Sequence, residues 1–307
     1  MTADILPALT AEVRRAAHPR GGGCGHHPDA VLAEREDGTV VRHGDTVAKA
    51  HAPGTDLGEF SLRLGIAADL PEIFLAPLRS TPADLHGRSV TFWPYGTAVD
   101  PDTPDAAPWE AAATLLARLH QAPAPTGLPA MRGPLKAARA VQRLHAVRPH
   151  PAAASVLAAW AALPAWARAE APMPSARSLC HGDLHLGQLV RHPADTGPWL
   201  LIDVDDLGLG EPAWDLARPA AWYGCGLLPP DEWARFLAAY RRAGGPGVPA
   251  TGDPWPALDV PARALTVQTA ARAVVKSVAA GRALDEVEQA VVDACARMAR
   301  ISPQLAQ

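Results

Sequence analysis

Lysine is scarce in this 307-residue chain, which has only three lysines among its 28 basic residues, and the basic residues form no continuous run. The formal net charge is −4 at pH 7. Sequence-independent nucleic-acid binding needs a strongly basic surface, so the composition argues against a nucleic-acid partner. No apolar run approaches the roughly 20 residues that cross a bilayer, so we expect no membrane partner either. These absences favour a small molecule as the partner.

Cysteine is also infrequent, and no two cysteines form the C-x-x-C pair that is typical of zinc and redox sites. The wide spacing indicates reduced thiols rather than a disulfide framework, and it therefore predicts a cytoplasmic protein. We expect a monomer or a small homo-oligomer. The four cysteines are Cys24, Cys180, Cys225 and Cys295.

The first third of the chain has the pattern of a helix followed by a small antiparallel sheet. Apolar residues at helical spacing predict a helix over residues 1–20, and an amphipathic segment with a capping residue predicts another over 55–64. Short β-branched segments, separated by the tight-turn pairs Asp37-Gly38 and Gly44-Asp45, predict an antiparallel meander. The predicted strands cover residues 31–35, 39–42, 46–50 and 90–93.

The rest of the chain is predicted to be mainly helical, interrupted by a loop and a strand between about residues 179 and 203. An antiparallel sheet followed by a run of helices predicts an α+β fold. The predicted helices cover residues 110–120, 134–148, 151–169 and 230–243, and the region from about 257 to the C-terminus.

The segment His181–Gln188, HGDLHLGQ, carries the chemistry that the sequence reveals most clearly. It places a carboxylate, Asp183, after a glycine turn and an amide five residues later. The apolar run 199–202 follows and ends in a second carboxylate, Asp203. Phosphoryl transfer needs these parts: one carboxylate accepts the proton of the attacking hydroxyl, and the other oxygens hold magnesium on the nucleotide phosphates. The spacing of five matches that of the protein-kinase catalytic loop.

The region from Leu179 to Ala217, with HGDLHLGQLV and LLIDVDDLGLGEPAWDLA, resembles the aminoglycoside phosphotransferase and choline kinase superfamily. The members of that superfamily are small-molecule kinases built on the protein-kinase fold. The resemblance implies a small antiparallel β lobe over residues 1–95, a hinge at 93–97 and a larger, mainly helical lobe over 98–307. Gln188, where Asn is usual, looks closer to the maltokinase and glucosamine kinase branch.

The resemblance implies roles for individual residues. Asp183 is expected to be the catalytic base, and His185 is expected to help orient its loop. Asp215 matches an element that braces the catalytic loop. The residues expected to hold magnesium are Gln188, Asp203 and Asp205, the last because residues two apart on a strand face the same way.

The nucleotide is expected to bind the first lobe. Lys49, on the third predicted strand, is expected to contact the phosphates and to be held by Glu59 of the following helix, with Glu72 as an alternative partner. Trp93 and Tyr95 lie at the predicted hinge, where the backbone of a kinase meets the purine. No G-x-G-x-x-G opens the first hairpin, and no P-loop sequence is present, so a P-loop kinase is excluded while ATP and GTP both stay open.

The sequence therefore predicts a magnesium-dependent kinase that transfers the γ-phosphoryl group of ATP or GTP to a hydroxyl group. The acceptor is expected to be a sugar, an amino sugar or an aminoglycoside-type antibiotic. Two other functions stay open at this point. One is a nucleotide-binding pseudokinase with weak or no turnover. The other is a metal-dependent hydrolase that uses His181, Asp183 and His185 as ligands.

Overall fold

A computed structural model describes residues 5–19, 28–35 and 38–300 of the chain. The helices are α1 (Ile5–Ala17), α2 (Leu57–Asp69), α3 (Trp109–Gln121), α4 (Gly133–Ala146), α5 (Ala153–Ala161), α6 (Ala217–Gly224), α7 (Pro230–Arg242), α8 (Trp255–Ala280) and α9 (Glu286–Arg300). The strands are β1 (Asp29–Arg35), β2 (Gly38–His43), β3 (Thr46–His51), β4 (Ala83–Leu85), β5 (Arg88–Pro94), β6 (Thr97–Ala98), β7 (Ser178–Cys180), β8 (Leu189–Arg191), β9 (Trp199–Leu201) and β10 (Gly208–Gly210).

The chain divides into two compact units. The first contains residues Met1–Pro108 and Leu186–Asp205, and the second contains Trp109–His185 and Asp206–Gln307. This division differs from the predicted lobes, because residues 186–205 join the first unit. The reason is hydrogen bonding: β8 pairs with β6 and with β9, and the N–H of Leu201 bonds to Ile73 of the same unit.

The first unit is built on an antiparallel sheet of five strands in the order β1-β2-β3-β5-β4. The predicted meander is present, with the left-handed Gly44 at the turn between β2 and β3. The predicted Asp37-Gly38 turn includes Asp37, which lies outside the described residues. Helix α1 packs on this sheet, because Leu9 and Val13, four residues apart, lie on one helix face and bury against Val41 and Phe92.

Helix α2 begins where the sequence predicts a cap. The side chain of Asp56 accepts a hydrogen bond from the N–H of Glu59 at 2.9 Å, which satisfies one of the free donors of the first turn. The helix continues to Asp69, five residues beyond the predicted end, because Phe60, Leu64 and Ala67 keep a buried face.

The second unit is mainly helical, and one of its core clusters joins α4, α5, α8 and α9. Two predicted helices are shorter than expected. The predicted helix over 151–169 ends at Ala161, since Pro164 disfavours helical backbone at the residue before it. The predicted helix from 257 onward is two helices, because Gly281 ends α8 in the left-handed conformation, with φ 61°.

Strands β7 and β10 pair in the second unit, and the His181–Gln188 motif begins directly after β7. The chain passes from the second unit to the first between His185 and Leu186, and it returns between Asp205 and Asp206. Cys180, Cys225 and Cys295 are free thiols, and Cys24 lies outside the described residues. No helix in the described ranges combines the length and the hydropathy that a membrane span requires.

Candidate active site

The Asp183 loop begins where strand β7 ends. Gly182 lies in the left-handed region, with φ +83°, and a Cβ placed on it would lie 2.4 Å from the carbonyl oxygen of Asp206. Any other residue at this position would meet both backbone strain and a clash with the backbone. Glycine therefore allows the sharp turn that precedes Asp183.

Gly182→Ala is expected to destabilise the fold more than Gly226→Ala does. Both glycines have positive φ, +83° and +76°, but a Cβ on Gly226 meets no atom within 4 Å. The control variant therefore reports left-handed strain alone, about 1–2 kcal/mol. Gly182→Ala adds the clash with Asp206. Urea unfolding of both variants measures the two free energies of unfolding, and equal losses would contradict the clash.

Asp215 binds the backbone of this loop. Its Oδ2 accepts a hydrogen bond from the N–H of His181 at 2.6 Å, and its Oδ1 accepts one from the N–H of Gly182 at 2.8 Å. The residue is 2% exposed, and both loop N–H groups need a partner at that depth. These contacts give Asp215 the bracing role that the family resemblance implies.

A buried network supports Asp215 in turn. The Nε2 of His120 lies 3.1 Å from Oδ2 of Asp215, and its Nδ1 lies 2.7 Å from the hydroxyl of Tyr240. That hydroxyl accepts a hydrogen bond from the N–H of Gly247 at 2.8 Å. One tautomer satisfies every group: Tyr240 donates to Nδ1 of His120, and the Nε2–H of His120 donates to Asp215. Burial raises the pKa of Tyr240 well above its usual range, so the hydroxyl keeps its proton.

Asp183 lies between two cations. Its Oδ2 is 2.6 Å from Nζ of Lys136, and its Oδ1 is 2.7 Å from Nη2 of Arg218. Burial by itself raises the pKa of a carboxyl group, but the two cations, with a smaller contribution from half-buried His185, outweigh burial and hold the pKa of Asp183 at about 2. Asp183 is therefore fully ionised at neutral pH and can accept hydrogen bonds.

Lys136 was not among the residues that the sequence pointed to. It lies on α4 and contacts Oδ2 of Asp206 at 2.6 Å as well as Asp183. The scarcity of lysine was the signal that could have found it, because only Lys49, Lys136 and Lys276 occur in the chain. Arg218 had no such signal among the many arginines, although it lies only three residues beyond Asp215.

Lys136→Met is expected to raise the pKa of Asp183, because the change removes one of its two cations. The folded pKa of about 2 lies below the unfolded value of about 3.9. Asp183 therefore contributes stability above about pH 4, and this contribution is lost as the pH falls through about 2. In Lys136→Met this contribution is smaller, and its loss is complete at a higher pH than in the wild type.

A ¹³C NMR titration of the aspartate carboxyl groups measures this shift. Arg139→Met is the matched control, because Arg139 is exposed on the same helix and forms no ion pair with a described residue. An unchanged pKa of Asp183 in Lys136→Met, or an equal change in the control, would contradict the role of the ion pair.

The first unit holds a second charged cluster, centred on Lys49. The Nζ atom of Lys49 lies 2.8 Å from Oδ1 of Asp203 and 3.1 Å from Oδ2 of Asp205. Burial lowers the pKa of an amine, but the two carboxylates outweigh it, so the pKa of Lys49 is raised and the ammonium stays charged. The same lysine, together with His51, holds the pKa of Asp205 well below its usual range in spite of burial.

Gln188 lies beside this cluster. Its side-chain Nε2 is 3.4 Å from Oδ2 of Asp203, and its backbone carbonyl oxygen accepts a hydrogen bond from the N–H of Ile202 at 2.9 Å. Asp203 has a left-handed backbone, with φ 67°, which turns the chain directly after β9. The carboxylates of Asp203 and Asp205 thus both contact the ammonium group of Lys49, and the side-chain amide of Gln188 contacts Asp203. Carboxylate oxygens are ligands that Mg²⁺ prefers, so Asp203 and Asp205 fit the metal that the sequence predicts, whereas the atom of Gln188 that faces them is its amide nitrogen.

His51 connects the carboxylate of Asp205 to the core of the sheet. Its Nδ1 lies 3.0 Å from Oδ1 of Asp205, and its Nε2 lies 2.8 Å from the hydroxyl of Thr91. The same hydroxyl accepts a hydrogen bond from Nε1 of Trp93 at 2.8 Å. His51 is 1% exposed, so its ring is fixed. No pattern in the sequence pointed to this histidine, because its partner lies more than 150 residues away.

The contacts of Glu59 and Tyr95 bear on two predictions. Glu59 is predicted to hold Lys49, and the backbone at Tyr95 is predicted to meet the purine. Glu59 forms an ion pair with Arg63, one turn along α2, while the two ion pairs of Lys49 are with Asp203 and Asp205. Glu59 lies in the first turn of α2, and its carboxylate is 3.3 Å from Nη2 of Arg63. At Tyr95, the N–H bonds to Asp45, and the carbonyl oxygen accepts from Nδ1 of His192 at 2.9 Å.

The ligands of the alternative metal hydrolase do not gather. Within the described ranges, the histidine, cysteine and acidic side chains whose ligand atoms lie within 4.8 Å of one another are His120, Cys180 and Asp215. His181, Asp183 and His185 do not form such a group. In addition, Asp215 already accepts hydrogen bonds from the loop, and burial raises the pKa of the Cys180 thiol. The hydrolase interpretation therefore has no support in this geometry.

An antiparallel sheet joined to a mainly helical unit, with an ionised aspartate on a braced loop, defines a protein-kinase-like phosphotransferase. The comparison of the sequence with known families agrees. The model of the phosphotransferase enzyme family (APH) matches residues 4–255, and the chain belongs to that family. The protein is thus a phosphotransferase that acts on hydroxyl groups, and the predicted α+β kinase-like fold is confirmed.

Solved structures share this fold. A choline/ethanolamine kinase family protein from Mesorhizobium loti is 18% identical, with 96% of each chain covered and a TM-score of 0.60. A spectinomycin phosphotransferase in complex with ADP and spectinomycin is 14% identical, with 89% of this chain and 93% of that chain covered and a TM-score of 0.59. An aminoglycoside phosphotransferase in complex with AMP-PNP and hygromycin B is 16% identical, with 94% and 98% covered and a TM-score of 0.59. A search of curated proteins gave no match.

Proposed function

We propose that this protein transfers the γ-phosphoryl group of ATP or GTP to a hydroxyl group of a small molecule, with Asp183 as the catalytic base. The observation that carries the proposal is the state of Asp183: an ionised carboxylate on a loop whose backbone is fixed by Asp215. The family membership supports the reaction class. The neighbouring structures with bound ADP or AMP-PNP support a nucleotide as the donor.

Asp183 acts mainly by orienting the acceptor. A carboxylate with a pKa of about 2 is a weak base, so it accepts a hydrogen bond from the hydroxyl group before it takes the proton. As the new O–P bond forms and the bond to the leaving diphosphate breaks, the hydroxyl becomes acidic and its proton moves to Asp183. Arg218 and Lys136 hold the carboxylate in position, because each contacts one of its oxygens.

The Lys49 cluster is proposed as the site of the nucleotide phosphates and their metal. Asp203, Asp205 and Gln188 would hold Mg²⁺, and Lys49 would contact the phosphates. Bound magnesium neutralises charge on the phosphate oxygens during transfer. His51 keeps the carboxylate of Asp205 oriented through the contact described above. Trp93 and Tyr95 remain proposed hinge residues, and His185 remains a proposed orienting residue of the Asp183 loop.

An assay of ADP or GDP release tests the proposal. The purified protein is incubated with ATP or GTP, Mg²⁺ and a panel of acceptors that contains neutral sugars, amino sugars, aminoglycosides and hydroxy acids. We expect acceptor-dependent release with at least one compound and its dependence on Mg²⁺. Nucleotide binding without ADP or GDP release in the presence of any acceptor would favour the pseudokinase, and cleavage of a panel compound in the absence of nucleotide would favour a hydrolase.

A further inference from the structure

A pocket of about 330 Å³ lies in the second unit, next to the residues that surround Asp183. Helix α8 supplies most of its wall, because residues four apart lie on the same helix face. The volume is at the lower end of the range for small-molecule sites. The lining residues are Arg218 of α6, Gln268, Thr269, Arg272, Ala273 and Lys276 of α8, and Glu288 of α9.

The pocket carries a surplus of positive charge. Arg272 and Lys276 are exposed and form no ion pair with any residue in the described part of the chain. The one acid in the wall, Glu288, accepts two hydrogen bonds of 2.6 Å from Arg282. Its charge is therefore compensated by an arginine that does not line the pocket. Of the three cations in the wall, Arg218 is paired with Asp183, so Arg272 and Lys276 supply the positive charge that no ion pair in the described part of the chain compensates.

Gln268 is a second and independent sign of a ligand. Its side chain lines the pocket, yet the residue is only 3% exposed. Its amide has no hydrogen-bond partner among the described residues. The protein does not enclose the polar atoms of this amide, so they face the pocket, where water or a ligand can bond to them. Gln268 therefore offers both N–H donors and an acceptor to a molecule in the pocket.

Arg218 connects the pocket to the catalytic carboxylate. Its Nη2 donates to Asp183 at 2.7 Å and its Nε donates to the carbonyl oxygen of Leu184 at 3.0 Å. A guanidinium group has five N–H donors in one plane, so donors remain for a ligand on the pocket side. A molecule that fills the pocket therefore lies beside the group that orients the acceptor hydroxyl.

We propose that this pocket binds an oxyanion of the acceptor, a carboxylate or a phosphate, so that the substrate is a hydroxylated anion rather than a cationic aminoglycoside. Arg272, Lys276 and Gln268 bind the anionic group, and Arg218 holds the molecule next to Asp183. A cationic amino sugar would place its ammonium among like charges, which is unfavourable. The identity of the substrate rests on the proposed function, because it assumes transfer to a hydroxyl group. The binding of an anion in the pocket does not depend on that function.

The binding of the anion is tested without nucleotide, with sulfate as the probe. NMR of the side-chain amide of Gln268 follows a sulfate titration at constant ionic strength in the wild type and in R272Q/K276Q. The control R242Q/R300Q removes two exposed arginines that lie elsewhere and form no ion pair with described residues. We expect saturable shifts in the wild type and the control, and at least about tenfold weaker binding in R272Q/K276Q, as for the loss of charged hydrogen bonds. No shift of Gln268, or equal affinity in R272Q/K276Q, would overturn the site.

The substrate class is tested with D-glucuronate, D-glucose and D-glucosamine, which share a ring but carry negative, neutral and positive charge. We expect ADP release to be fastest with the anion, and R272Q/K276Q to raise KM for the anion by about tenfold or more without the same effect on glucose. Turnover of the cation that exceeds that of the anion would overturn the proposal while the kinase stands. Sulfate binding at Gln268 without turnover of any panel member would support the anion site and count against the proposed function.

Discussion

Asp183→Asn is expected to lower kcat by about 10²- to 10⁴-fold, the contribution of a positioned general base. Asparagine keeps the size of the side chain and can still accept a hydrogen bond from Arg218, but it has no charge with which to take the hydroxyl proton. Lys136 keeps Asp206 as an ion-pair partner at 2.6 Å, so its ammonium does not lose all compensation. Nucleotide affinity should therefore stay near the wild-type value. Steady-state ADP release and calorimetric nucleotide titrations measure the two quantities separately.

Asp206→Asn is the matched control for this change. It removes one carboxylate from the same lysine but leaves Asp183 in place, so we expect a loss of kcat of less than about tenfold, as for a partly exposed ion pair. Thermal unfolding of both variants shows whether they fold. Unchanged turnover in a folded Asp183→Asn protein would contradict the assignment of the base, and equal losses in the two variants would assign the effect to Lys136.

Asp203→Asn is expected to abolish most of the magnesium dependence of nucleotide binding. In the wild type, Mg²⁺ should tighten the binding of a non-hydrolysable ATP analogue. Asp203 is one of two carboxylates that contact the ammonium group of Lys49. Loss of even a supporting residue at a metal site costs about 10- to 100-fold in metal affinity, so loss of a charged ligand should cost at least as much. Because magnesium neutralises the transferring phosphate, turnover should fall with it.

Calorimetric titrations of that analogue with and without Mg²⁺ test this expectation. Asp69→Asn is the control, because Asp69 is an exposed carboxylate of the same unit without a hydrogen bond or ion pair to described residues. Asp205→Asn should show the same direction of change as Asp203→Asn. Equal weakening of binding with and without Mg²⁺ in Asp203→Asn would instead mean that Asp203 acts by positioning Lys49.

The sequence predicted the elements of the first unit more closely than those of the second. The strands β2, β3 and β5 lie within two residues of their predicted ends, because alternation of side chains and tight turns are local signals. Helices α5 and α8 were predicted too long. Their sequences are rich in alanine, which favours helix throughout, and the ends depend on single residues such as Pro164 and Gly281.

The ion-pair partners of Lys49 could not be found from sequence patterns alone. A glutamate in the next helix was the expected partner by analogy with kinases, but Glu59 has Arg63 four residues away on its own helix. The lysine instead pairs with Asp203 and Asp205, about 154 residues further along the chain. Spacing in sequence predicts neighbours on one element, and it says little about neighbours that meet through the fold.

The sequence by itself determined the reaction class, because Asp183, Gln188 and Asp203 lie close enough along the chain to be recognised as one motif. The glycine before Asp183 also determines the turn there. The electrostatics of that aspartate were decided by the tertiary structure. Lys136 and Arg218 lie 47 and 35 residues from Asp183 along the chain, and only folding brings them to 2.6 Å and 2.7 Å. Charge interactions depend on distance in space, so the low pKa of Asp183 and the basic pocket beside Arg218 could not be found from the sequence pattern.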